Sequence, residues 1–162
     1  MFIPYENIIP YENKIILVIF VSGRKSSGIM KPHRRVDLHV RTTASMGTVT
    51  SYEAVQLAKE AGLAAIAIVD HDTVEGISLA QLAAESYRLE IISGVEFSYE
   101  TLEHKVHLIG YFIDHKNADL VEVVETMQVW RSFQIETISK KLREQGVAIS
   151  FDDVLREAGH AS

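Results

Sequence analysis

From Val36 onward, short apolar runs alternate with stretches of helical period, and this alternation limits the fold more than any other feature. Strand, helix and strand in succession form the repeating unit of a parallel sheet or a βα barrel. Val36–Val40 reads as a first strand. Thr50 and Glu53 make a capping box ahead of a helix whose apolar face is Ala54, Val55, Leu57, Ala58 and Ala61, and Gly62 supplies its stop. Residues 63–69 are almost unbroken apolar, as expected of a strand covered on both faces. A helix over 77–87 and a strand over 90–97 follow. A polar stretch then leads to a fourth strand, 106–113, which a hairpin joins to the third.

After Asp114 the pattern becomes helical. Asn117 is a candidate N-cap, and Leu120, Val124, Met127, Trp130, Ile138 and Leu142 recur at helical steps until Gly146. Such a stripe is read as packing surface rather than a cofactor site. Ser150 and Asp153 predict one more capped helix, Phe151–Ala158, stopped by Gly159. Residues 30–114 therefore read as βα units and 115–162 as a helical addition. Residues 1–29 differ from both. They hold Ile-Pro-Tyr-Glu-Asn at 3–7 and again at 9–13, an apolar run at 15–21 and a Gly/Ser-rich loop. An extension outside the domain, with translation beginning upstream of Met30, is the expectation; a strand pairing with the domain edge is the alternative. The apolar run is too short to span a membrane and follows Glu6 and Glu12, so it fits neither a transmembrane helix nor a signal peptide.

A chain of 162 residues holds one domain but falls short of the roughly 250 residues of a complete TIM-like barrel. Its formal charge of −6 argues against binding long nucleic-acid duplexes and leaves small phosphorylated substrates open. Without cysteine, any metal must be held by His, Asp or Glu, and a cytoplasmic location fits.

The ionisable residues cluster at strand ends. His39 closes the first strand, Asp70-His71-Asp72 follows the second, Glu96 closes the third and His107 lies within the fourth. In a βα barrel those ends converge on one mouth. Histidines and carboxylates gathered there form a donor set for divalent metals, and a pair of such metals can drive phosphoester hydrolysis. Taken singly, each residue has a plainer reading: His39 and His107 as hydrogen-bonded or packed histidines, Glu96 as a helix cap. Their joint placement favours the metal site. His33, His104, His115 and His160 fall in loops or ends and receive no role.

The motifs Asp37-Leu38-His39-Val40-Arg41-Thr42, Ser45-Met46-Gly47-Thr48, Ile68-Val69-Asp70-His71-Asp72-Thr73, Gly94-Val95-Glu96 and Val106-His107-Leu108-Ile109-Gly110-Tyr111 resemble the opening of the polymerase and histidinol phosphatase (PHP) family. The likeness runs from Arg35 to Gly159. Residues 131–146, with Ile149-Ser150, resemble the insertion of stand-alone bacterial members acting on 3',5'-bisphosphonucleotides or RNA 5' ends. The resemblance implies the N-terminal part of a distorted TIM-like (βα)7 barrel with a helical insertion, the barrel truncated at the C-terminus. It implies His39, His71, Glu96 and His107 as ligands of divalent ions (Mn, Zn, Mg or Fe), with Asp70 and Asp72 beside them toward ligands or substrate. The implied substrate is a small phosphorylated molecule or a nucleic-acid end.

Two residues depart from the family pattern. Arg41 stands where the second histidine of a His-x-His pair belongs, and a guanidinium has no lone pair for a metal. Met46 stands where the family has aspartate, and a thioether is a poor ligand for a hard cation. Reduced metal occupancy follows, with Arg41 available to neutralise a phosphate. Relatives continue past residues 158–159 into further strands, so a second chain completing the barrel is one expectation. An inactive relative and a phosphate-binding module are the competing readings.

Overall fold

A computed structural model describes residues 8–11, 14–20, 35–100 and 105–158. Six strands form one sheet: β1 (Ile8–Tyr11), β2 (Lys14–Phe20), β3 (Val36–Val40), β4 (Ala65–Ile68), β5 (Glu90–Glu100) and β6 (Lys105–Tyr111), in the order β1-β2-β6-β5-β4-β3. The helices are α1 (Ser51–Glu60), α2 (Glu75–Tyr87), α3 (Ala118–Glu144) and α4 (Phe151–Ala158). β3, β4 and β5 run parallel to one another, as the βα alternation requires.

The apolar run around β4 has a physical explanation. Ile66 and Ile68 point toward α1 and α2, where Val55, Ala58, Ile77, Ala80, Ala83 and Ala84 close over them. Ala65, Ala67 and Val69 face the other way, against Ile92, Ile109 and Tyr111. Every position of β4 is buried. Each large aliphatic side chain enclosed this way contributes about 1.5–3 kcal/mol. Helix α1 starts on the expected box: Thr50 Oγ1 accepts from Glu53 N at 3.2 Å, and Thr50 N donates to Glu53 Oε2 at 2.8 Å. Gly62, at φ +70°, turns the chain out of α1 in the left-handed region that glycine enters without strain.

Three features differ from the sequence expectations. β5 and β6 are antiparallel, as a hairpin demands, but they extend into the expected polar stretch, pairing Tyr99 with Val106 and Glu100 with Lys105. A cross-strand ladder satisfies backbone groups whatever the side chains, so polarity did not end the strands. Residues 8–11 and 14–20, in the segment whose first expectation was an extension outside the domain, join the sheet, in keeping with the alternative of a strand pairing at the domain edge. β2 pairs parallel with β6, Ile16 opposite His107, and β1 pairs antiparallel with β2. The third concerns α3, which begins on Asn117 Oδ1 accepting from Leu120 N at 3.0 Å. Of its expected stripe Val124 is buried, whereas Trp130 is 64% exposed and packs edge-on to Phe133, itself exposed. No described helix is long and apolar enough to cross a membrane.

Candidate metal centre

The backbone brings the site together before any side chain acts. Beyond β4, the chain stays clipped to β5: Glu96 N donates to Asp70 O at 3.1 Å and Asp72 N to Glu96 O at 2.9 Å. This bridge sets His71 beside Glu96. Glu96 is 1% exposed and is the hub of the site. Its Oε2 lies 2.9 Å from His39 Nε2 and accepts from Arg41 Nε at 3.1 Å and Nη2 at 2.7 Å, with His71 Nε2 at 3.5 Å. Its Oε1 lies 2.8 Å from His107 Nδ1. Burial works to raise the Glu96 pKa, but the His39 and Arg41 hydrogen bonds and the surrounding positive charge bring it down to about 2. The carboxylate is therefore ionised at neutral pH.

His71 is buried, and desolvation lowers its pKa to about 4 against the opposing pull of Glu96. At pH 7 it is the neutral imidazole that metals require. Ser98 Oγ lies 2.9 Å from His71 Nδ1 and so orients the ring, leaving Nε2 toward Glu96. The rings of His71 and His107 meet edge to face with centroids 5.0 Å apart.

The donor set fits a divalent metal. One donor atom each from His71, Glu96 and His107 lies within 4.8 Å of the others. His107 Nδ1 is buried yet has no hydrogen-bond partner among the described residues, because its short approach to Glu96 Oε1 lacks hydrogen-bond alignment. A buried nitrogen of this kind normally finds a partner. Two imidazoles and a carboxylate aimed at one point supply the coordination that zinc, manganese or iron accepts.

The remaining predicted site residues divide. Asp70 is 1% exposed, and its carboxylate is occupied by the loop after β3: Thr42 N and Ser45 Oγ donate to Oδ1 at 2.7 and 2.6 Å, and Thr42 Oγ1 donates to Oδ2 at 2.8 Å. The structure thus places it as an anchor for that loop. Gly47 belongs to the same device. A Cβ there would stand 2.4 Å from Arg41 O, so only glycine lets the loop fold back on itself. Asp72 adopts φ +52°, accepts from Ser98 N at 3.1 Å through Oδ1, and pairs through Oδ2 with Arg131 of α3. Met46 is 60% exposed, its sulfur 3.3 Å from Arg41 Nη1. His115 lies near Ser78, away from the site, and His33, His104 and His160 lie outside the described residues.

Sequence reasoning missed Ser98 and Arg131. Ser98 carried a signal, since two residues beyond Glu96 on a strand lies on the same face. Arg131 carried none, because its approach to Asp72 depends on where α3 packs.

The PHP domain matches residues 37–155. The chain belongs to this family. It is 30% identical over 119 residues to a 5'-3' exoribonuclease of Haemophilus influenzae, covering 74% of this chain and 43% of that protein. It is 29% identical over 121 residues to a 3',5'-nucleoside bisphosphate phosphatase of Chromobacterium violaceum, covering 75% and 42%. In three dimensions it resembles a Bifidobacterium adolescentis protein described as a candidate metal-dependent phosphoesterase, with TM-score 0.70, 29% identity, and 79% of this chain against 44% of that one. The chain spans less than half the length of these relatives. Its fold is the TIM-like α/β architecture of PHP proteins, and its sheet corresponds to part of that barrel.

Proposed function

We propose that this PHP chain carries part of a metal-dependent phosphoesterase centre acting on small phosphorylated nucleotides or nucleic-acid ends. One observation carries the reading: His71, Glu96 and His107 present converging donors, one of them a buried nitrogen that makes no hydrogen bond among the described residues. Among divalent ions, two imidazoles suit zinc, manganese or iron better than magnesium. Such an ion supplies Lewis acidity toward a phosphoryl oxygen and toward water.

The protein's own residues do the rest. Ser98 fixes the His71 ring. Asp70 holds the 42–47 loop, which keeps Arg41 over Glu96. Arg41 remains partly exposed and offers positive charge to a phosphate. The pairing of Asp72 with Arg131 ties α3 to the rim of the site. The names of the Haemophilus and Chromobacterium relatives support a nucleotide-type substrate, and a cytoplasmic location belongs to the same proposal, since nucleotides turn over there. Further polypeptide, from this chain or another, covers the outer edge of β3 and the exposed Trp130 and Phe133; the exposure of Val36 and Leu38 on that edge supports this.

A second reading, phosphate binding without turnover, is favoured by Arg41 occupying Glu96. Phosphate release from a 3',5'-bisphosphonucleotide in the presence of manganese separates the two. The phosphoesterase reading expects metal-dependent release that Glu96→Gln abolishes. Saturable binding of inorganic phosphate without any release would leave the binding module instead.

A further inference from the structure

The two oxygens of Glu96 have different occupants. Oε2 is engaged by three nitrogens within 3.1 Å: two from Arg41 and one from His39. A carboxylate oxygen offers about two lone-pair directions, so Oε2 has none left for a metal. Oε1 lies 2.8 Å from His107 Nδ1, which makes no hydrogen bond among the described residues. The donors gathered for a metal are those of His71, Glu96 and His107, and His39 stands outside that group.

We propose that the Arg41 guanidinium is a built-in replacement for one divalent cation, so that the centre binds a single metal ion through His71, Glu96 Oε1 and His107. This rests on the metal-centre reading above and extends it to the number of ions and to the role of His39. The guanidinium neutralises the buried carboxylate without any metal, a task that otherwise falls to an ion. A second divalent ion at Oε2 would have to displace both Arg41 nitrogens and would sit against a permanent positive charge. Met46 suits this arrangement. Its neutral sulfur touches Arg41 Nη1 at 3.3 Å, and as a thioether it does not compete with Glu96 for the guanidinium as a carboxylate would. His39, hydrogen-bonded to the oxygen that Arg41 holds, steadies the ion pair and is not a ligand.

The test is metal content after equilibration with manganese or zinc, read together with the melting temperature of the metal-free protein. The wild-type chain is expected to hold one ion and Arg41→His two, because an imidazole there adds a donor and releases Oε2. Metal-free Arg41→His is expected to melt below the metal-free wild type and to recover on loading. His39→Ala serves if Arg41→His does not fold. It should still hold one ion, with affinity within about threefold of wild type. One ion in the wild type and one in a folded Arg41→His would overturn the replacement while leaving the metal centre standing, as would a tenfold or greater loss of affinity in His39→Ala. No ion in the wild type would overturn the metal-centre reading itself.

Discussion

Replacing Asp70 with alanine is expected to cost the fold about 3–5 kcal/mol, a large share of the 5–15 kcal/mol typical of a domain. The carboxylate receives Thr42 N, Thr42 Oγ1 and Ser45 Oγ in a fully buried setting. Hydrogen bonds to a charged acceptor contribute about 1.5–3 kcal/mol each, and removing the acceptor strands three buried donors, though the losses do not add fully. Asp70→Asn keeps one oxygen in place and is expected to lose less. Urea midpoints measure the difference. A wild-type midpoint in Asp70→Ala would mean that the residue serves the substrate side, as the family resemblance implies, and does not anchor the loop.

The second large effect concerns His107. Saturating metal is expected to raise the melting temperature of the wild-type chain by about 5–10 °C. That figure follows from about 2.7 kcal/mol of linkage at a hundredfold excess over Kd and the usual sensitivity of a domain this size. His107→Ala should abolish the gain, since it removes one of three donors. The metal-free variant should melt modestly below the metal-free wild type, because it loses the 2.8 Å approach to Glu96 Oε1 and the edge-to-face packing on His71. Undiminished stabilisation of His107→Ala by metal would remove His107 from the ligand set.

How much of this was legible in the sequence depended on the range of the interaction. β4, the capping box of α1 and the Asn117 start of α3 follow from local chemistry, and the structure has each of them. The convergence of His39, His71 and Glu96 was also readable, since the ends of parallel strands fix direction and proximity, whereas His107 arrives from the antiparallel β6 through its pairing with β5. What could not be read was the division of labour within the site. Nothing in Asp-His-Asp says that the first carboxylate turns back to Thr42 and Ser45 while the third reaches Arg131 of a distant helix. Arg41 was visible as a departure from the family pattern, but its grip on one oxygen of Glu96 required coordinates. The strands at 8–11 and 14–20 were obscured by the direct repeat and the loop composition around them, although the apolar run gave a β signal.

The most direct test of the central claim is the metal content of the purified chain after exposure to manganese and zinc, measured beside Glu96→Gln. With His71, Glu96 and His107 as the ligands, the wild type retains one tightly held ion per chain and the variant retains none. Equal metal content in the two, or none in the wild type, would contradict the account.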